Sequence, residues 1–181
     1  MIRSPDIPPE QLSPEQQLVC DQIIAITGRS ITGPFAPLLP APHVAVAAVQ
    51  MFDAFRRKRK LELRLFELMV LIIARHWDSQ FEWHTHVQRG LDAGLSEEVV
   101  DAIRNRLVPQ FSRDDERMVY DVVTELNEKR TLGTVTFDRA LTVLKNREML
   151  VELIAGAGFY TMVAIILNSF EVPIPAGKAP I

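Results

Sequence analysis

Residues 62–103 read ELRLFELMVLIIARHWDSQFEWHTHVQRGLDAGLSEEVVDAI, and this stretch decides the fold. Its first part is apolar on most faces, which predicts a central helix that is buried on all sides. One acid, Glu67, lies within the apolar run. Burying an acid is costly unless the carboxylate has a partner or a function. We therefore interpret Glu67 as half of an ion pair or as part of a functional site.

The second part of the stretch predicts another helix, which begins at Ser79. On this helix Ser79, Glu82, Trp83 and His86 share one face, because residues three or four positions apart are neighbours. A glutamate and a histidine on one face, together with Glu67 from the preceding helix, are typical of acid–base chemistry. The sequence thus predicts a site where the two helices meet.

Two simpler interpretations account for the same residues. Arg64 lies three positions before Glu67, and an ion pair between them would explain the buried acid. Ser79 and Glu82 fit the S-x-x-E pattern of a helix capping box, in which each side chain bonds a backbone N–H group. The residues alone leave both interpretations open.

The stretch also resembles the carboxymuconolactone decarboxylase family, which includes the alkylhydroperoxidase-D-like thiol proteins. The thiol branch carries a glutamate on one helix and Cys-x-x-Cys-x-x-x-His at the start of the next. Here the same frame reads Glu67, then Ser79-x-x-Glu82-x-x-x-His86, and FEWHTH resembles the decarboxylase branch. The resemblance covers about residues 33–126 and, more loosely, the C-terminal part of the chain.

The resemblance implies a cofactor-free enzyme that decarboxylates or isomerises a small carboxylated lactone or a related intermediate of aromatic-acid breakdown. His86 would donate the proton, Glu82 would orient or recharge it, and Glu67 would relay protons. The residues expected to contact the acidic substrate are Ser79, Trp83, Phe35 and Arg75. Members of the family commonly form trimers or hexamers, so we expect a homo-oligomer.

Two other functions stay open. One is a thiol-dependent peroxide reductase of the alkylhydroperoxidase type, against which both missing cysteines argue. The single cysteine, Cys20, is interpreted as a buried apolar residue without chemistry, and it excludes an intrachain disulfide. The other is a helical oligomer without enzymatic activity.

We expect no bound metal. His84 and His86 are two residues apart, so on a helix they point in nearly opposite directions and cannot bind one ion. Glu82 and His86 have the i, i+4 spacing of a metal pair, but no third ligand accompanies them.

Composition and charge restrict the partners further. The chain has 181 residues, 48% of them hydrophobic, and a formal net charge of −3. This charge gives no reason to expect nucleic acid or an anionic membrane as partner. The basic run at residues 56–60 is interpreted as a solvated helix end. The lone cysteine and the lack of an apolar segment near the N-terminus indicate a cytoplasmic protein.

The rest of the chain predicts an all-α single domain, residues 1–181, with about seven helices. Residues 1–12 are expected to form an extended arm, and residues 29–42 are too rich in proline for a regular element. A capping box predicts a helix starting after Ser13. Residues 137–181 supply the C-terminal helices and tail. The apolar helix at 147–169 is interpreted as a core or subunit-interface helix, and its Tyr160 as a packed aromatic or, alternatively, a pocket residue.

Overall fold

The computed structural model describes residues 3, 7–28 and 30–181, and this part of the chain is all-helical. It contains eight α-helices, so the predicted count of about seven was close. They are α1 (Pro14–Thr27), α2 (Pro42–Asp53), α3 (Leu63–His76), α4 (Gln80–Asp92), α5 (Glu97–Arg104), α6 (Asp114–Lys129), α7 (Thr134–Leu144) and α8 (Arg147–Ser169).

Three shorter helical segments accompany them. Two 3₁₀ helices span Pro9–Gln11 and Gly33–Leu38, and a π-helical turn, Ala54–Lys58, continues directly from α2. The expectation that residues 29–42 form no regular element was therefore wrong for Gly33–Leu38. A 3₁₀ helix tolerates this proline-rich sequence because short pieces of it need few backbone N–H donors. Most of the predicted extended arm, residues 1, 2 and 4–6, lies outside the described residues.

The chain divides into two compact units. One comprises Met1–Lys58 and Ile166–Pro173, and the other comprises Arg59–Ile165 and Ile174–Ile181. The first unit contains α1 and α2. Helix α1 begins with the predicted capping box, in which Ser13 and Gln16 exchange side-chain to backbone hydrogen bonds, and it ends at Gly28 with a left-handed φ of 71°. The assignment of residues 1–181 to one domain stays a prediction.

The second unit is built around α3, against which α4, α5 and α6 pack. Every residue from 64 to 74 of α3 is buried, which confirms the prediction of a helix that is covered on all sides. Helix α8 also comes close to α3, since a Cβ atom on Gly156 would lie 3.0 Å from the sulfur of Met69. At the start of α3, the backbone N–H groups of Lys60 and Leu61 donate to the Glu152 carboxylate of α8.

Helix α8 has the bounds that the sequence predicted. It is long and apolar enough to cross a membrane, and half of its most apolar window is buried within the structure. Core helices of soluble proteins meet the same criterion, so this helix alone is weak evidence for a membrane span. Its interpretation as a core or subunit-interface helix stays a prediction.

Helix α6 starts after Arg113 without a side-chain cap. The C-terminal helices, predicted for residues 137–181, begin earlier, since α7 starts at Thr134. The basic residues 56–60 lie in and after the π-helical turn, where Arg57 pairs with Asp53 and Lys60 pairs with Glu148.

Candidate functional site

Glu67 lies in the middle of α3, where its side chain is 4% exposed. Its Oε2 atom accepts a hydrogen bond from Nδ1 of His86 at 2.6 Å. His86 lies on α4 and is also 4% exposed, so the two groups form a buried pair. The two helices thus meet at the residues from which the sequence predicted an acid–base site.

Arg64 does not pair with Glu67, and the interpretation of Glu67 as its ion-pair partner was wrong. The Arg64 guanidinium turns toward α6, where it contacts Glu116 at 2.5 Å and Asp115 at 2.6 Å. It also contacts Glu62 at 2.9 Å. Glu116 is itself buried, so this network accounts for the charge of Arg64 and leaves Glu67 to His86.

Ser79 is the residue preceding α4, but its side chain does not cap the helix. The capping-box interpretation of Ser79 and Glu82 was therefore wrong. Ser79 is fully buried, and neither its Oγ atom nor Oε2 of Glu82 has a hydrogen-bond partner among the described residues. Buried polar groups are nearly always hydrogen-bonded, so the unpartnered Ser79 hydroxyl is a candidate for contact with a bound ligand.

His86 lies between two carboxylates. Glu67 contacts Nδ1, while Oε2 of Glu82 lies 3.3 Å from Nε2 on the opposite edge of the ring. Burial lowers the pKa of the imidazole, but the hydrogen bond to Glu67 and the nearby Glu82 outweigh burial and raise the pKa of His86 to about 9. At neutral pH His86 is therefore an imidazolium with a proton on each nitrogen.

One aromatic ring packs directly against this imidazolium. The Tyr160 ring of α8 meets the His86 ring edge-on, with 5.4 Å between centroids, and it also packs against Phe66 at 5.6 Å. Trp83 is 1% exposed, with the guanidinium of Arg104 5.7 Å from its ring centroid. The structure thus brings Tyr160 to the site. The sequence contained no signal that distinguishes Tyr160 from an aromatic residue that only packs in the core.

Arg75, one of the predicted substrate contacts, is engaged by other residues. The Arg75 guanidinium forms an ion pair with Asp78 and donates to the carbonyl oxygen of Arg104 at 2.6 Å. Arg75 is eight residues beyond Glu67, about 12 Å along the axis of α3. Phe35 belongs to the other unit, where it is buried against Phe52 at 5.3 Å between ring centroids. Its role as a pocket wall stays a prediction.

An open groove of about 150 Å³ lies on the same unit as the His86 site but is lined by different residues. It runs between α3, α5 and α6, and Arg75, Arg106 and Tyr120 contribute to its walls. Both arginines of this groove pair with Asp78.

The described residues contain no group of three or more His, Cys, Asp or Glu side chains arranged to hold a metal ion. Glu67 and Glu82 contact opposite nitrogens of His86, so the imidazole ring lies between the two carboxylates and a single metal ion could not bind both of them. His84 faces away from this cluster, and its Nε2 atom lies 2.8 Å from the carbonyl oxygen of Ala179. Cys20 is buried in α1, and burial raises the pKa of its thiol.

No protein-family model and no curated protein matches this sequence. Two solved structures are similar to it. One is an uncharacterized peroxidase-related protein from Silicibacter sp. TM1040, with a TM-score of 0.74, 12% identity, and coverage of 96% of this chain and 90% of that one. The other is a cysteine-to-alanine variant of the debrominase Bmp8 in complex with 2,3,4-tribromopyrrole, with a TM-score of 0.67, 12% identity and coverage of 96% and 91%.

The protein has an alkylhydroperoxidase-D-like helical fold. At this level of identity the likeness concerns the fold alone, so neither neighbour assigns an activity to the chain. Within the alkylhydroperoxidase-D-like fold, the function must be argued from the residues that surround His86.

Proposed function

We propose that this protein is a cofactor-free acid–base enzyme that decarboxylates or isomerises a small carboxylated lactone or a related unsaturated acid. The observation that carries this proposal is the imidazolium of His86, buried between two carboxylates and protonated at neutral pH. A group that is charged, buried and held in one orientation is suited to deliver a proton to a reacting carbon.

The two nitrogens of His86 have different roles in this proposal. Nδ1 donates to Glu67 at 2.6 Å, which fixes the ring and leaves its other edge for chemistry. Nε2 lies 3.3 Å from Glu82 Oε2, a longer and weaker contact than the 2.6 Å between Nδ1 and Glu67, so its proton is held less tightly by a protein acceptor. We therefore assign the transferred proton to Nε2.

The reaction balances without a cofactor. The bond between the ring and the substrate carboxylate breaks, CO₂ leaves, and the electron pair passes into the conjugated lactone carbonyl. Nε2 of His86 then protonates the resulting dienolate at carbon. Glu82 takes up a proton from solvent and returns it to the imidazole of His86. Isomerisation would use the same proton donor, with a carboxylate removing the proton instead of CO₂ leaving.

Ser79 and the first turn of α4 are assigned to substrate binding. The Ser79 hydroxyl is buried and has no protein partner among the described residues. The N-terminus of a helix also carries partial positive charge and free N–H groups, which stabilise a carboxylate or an oxyanion. Arg75 is not part of this assignment, because its guanidinium is engaged by Asp78 and the Arg104 carbonyl.

Thiol-dependent peroxide or halide chemistry has less support. In the resembling thiol proteins two cysteines occupy the positions of Ser79 and Glu82, and here neither position carries sulfur. Cys20 lies in the other unit, and burial keeps its thiol protonated by raising its pKa. A non-enzymatic helical oligomer remains the second alternative, and it predicts that the charges around His86 serve stability alone.

The test is a substrate panel followed by matched variants. Purified protein is incubated with carboxylated lactones and unsaturated acids, while CO₂ release and ultraviolet absorbance are measured, and separately with peroxide and a dithiol. Turnover in the first arm that falls about 10²–10⁴-fold in His86→Gln and stays unchanged in His84→Gln supports the proposal. Turnover only with peroxide and dithiol, or equal turnover in both histidine variants, contradicts it.

We further propose that the protein acts as a homo-oligomer in the cytoplasm, as a trimer or hexamer. Large apolar side chains on α8 are exposed in the single chain, with Val151 59% and Ile165 43% exposed. Contact between copies would cover such residues.

A further inference from the structure

Tyr160 is a buried phenol beside the proposed proton donor. It is 5% exposed, and its ring packs edge-on against His86, Phe66 and Phe159 with centroid separations of 5.4, 5.6 and 5.5 Å. Three aromatic neighbours therefore restrict the position of the Tyr160 ring next to the imidazolium.

The contacts of Tyr160 within the site are ring contacts, to His86, Phe66 and Phe159. A buried tyrosine normally finds an acceptor for its O–H group, which is the reason for using tyrosine rather than phenylalanine inside a protein. Ser79 Oγ lies in the same unit and has no partner among the described residues. The unit that contains the site thus holds the unpartnered hydroxyl of Ser79 and the phenol of the buried Tyr160.

The charge state of the phenol suits a donor. Burial and the carboxylates of Glu82 and Glu67 raise the pKa of Tyr160 well above its ordinary value, so the hydroxyl keeps its proton throughout the physiological range. A neutral hydroxyl next to an imidazolium can donate to an oxygen that gains negative charge, and it does so without losing its proton.

We propose that Tyr160 contacts the substrate directly, donating a hydrogen bond to the carbonyl oxygen that becomes an enolate oxyanion while His86 protonates carbon. This inference rests on the proposed acid–base function. It assigns the substrate class more narrowly, to planar unsaturated compounds whose carbonyl oxygen can take the negative charge. In the reaction the O–H bond of Tyr160 stays intact, and the transferred proton comes from His86.

The proposal is tested with Tyr160→Phe, which removes one oxygen atom and keeps the ring. The matched control is Tyr120→Phe, because Tyr120 lines the separate groove and packs against Phe111. On any substrate that the wild-type protein turns over, kcat should fall about 10²-fold in Tyr160→Phe and by less than about twofold in Tyr120→Phe. Both variants should have melting temperatures close to that of the wild type, since each keeps the packed ring and loses a single oxygen atom.

A binding measurement tests Tyr160 without turnover. The probe is 4-nitrophenolate, a planar oxyanion whose absorbance reports its environment, and 4-nitroanisole is the same ring without the oxyanion. The affinity for 4-nitrophenolate should fall about tenfold or more in Tyr160→Phe, and 4-nitroanisole should not distinguish the variants. Equal affinity of the wild type and Tyr160→Phe for 4-nitrophenolate, or no binding by the wild type, overturns the assignment.

The failures can be told apart. If His86→Gln abolishes turnover while Tyr160→Phe retains it, the Tyr160 assignment is wrong and the acid–base function stands. If neither variant changes turnover, both proposals fail. A large fall in melting temperature in Tyr160→Phe with unchanged affinity for 4-nitrophenolate would show that the tyrosine serves packing alone.

Discussion

Replacing Arg64 by methionine tests whether Arg64 stabilises the fold through Glu116 while Glu67, on the same helix, pairs with His86. The Arg64 side chain is 5% exposed and contacts Glu116, Asp115 and Glu62 within 2.9 Å. Methionine keeps much of the length and removes the charge, which leaves the Glu116 carboxylate buried without its partner. Breaking a buried pair in this way costs about 3–5 kcal/mol. We expect Arg64→Met to lower the free energy of unfolding by this amount.

The assay is urea unfolding followed by tryptophan fluorescence, because Trp77 and Trp83 both lie in the unit that contains Arg64. Arg117→Met is the surface control: its pair with Asp121 is exposed, so the loss should be about 0.5 kcal/mol or less. The double variant Arg64→Met/Glu116→Leu removes both charges and should recover much of the stability.

The single variant Arg64→Met should leave the pKa of His86 unchanged, because Arg64 contacts Glu116 rather than Glu67. A loss below about 1 kcal/mol in Arg64→Met would refute the buried network. A changed pKa of His86 in Arg64→Met would refute the assignment of Glu67 to His86 alone.

Three other predictions follow from the geometry. Because the pKa of His86 is raised in the folded state, its imidazolium stabilises the fold fully below the ordinary pKa of 6.5, and this contribution is lost as the pH rises through about 9. The difference in unfolding free energy between the wild type and His86→Gln should therefore shrink by about 3 kcal/mol between pH 6 and pH 10. Urea titrations at several pH values measure it, and a difference that grows with pH contradicts it. Cys20→Ser should leave turnover unchanged, and a loss of about tenfold or more in a folded variant would restore the thiol interpretation. Light scattering should give a mass several times the 20.5 kDa of one chain, whereas a monomer at micromolar concentration would exclude the proposed oligomer.

Features that depend on neighbouring residues were predictable from the sequence. The capping box at Ser13, the left-handed Gly28 and both ends of α8 follow from local hydrogen bonding, backbone freedom and apolar length. The proximity of Glu67 and His86 was also predictable, because the family resemblance places both residues on adjacent helices.

Features that depend on distant partners were not. Two of the three partners of Arg64, Asp115 and Glu116, lie 51 and 52 residues away on α6, and no local pattern favours them over Glu67. Glu82 turns toward His86 rather than back to the N-terminus of α4, since the buried imidazolium attracts its carboxylate more strongly than a backbone N–H group would. The orientation of Tyr160 depends on the packing of α8 in the same way.

The central claim is that His86 is a protonated donor at neutral pH, and a histidine titration by NMR tests it most directly. In protein with labelled histidines, the four imidazoles are assigned from the variants His43→Gln, His76→Gln and His84→Gln. We predict that the His86 ring titrates near pH 9, and that Glu67→Gln lowers its pKa by about one to three pH units. Titration of His86 at or below the ordinary value of 6.5 would contradict the account, because a neutral imidazole whose Nδ1 donates to Glu67 has no proton on Nε2 to deliver.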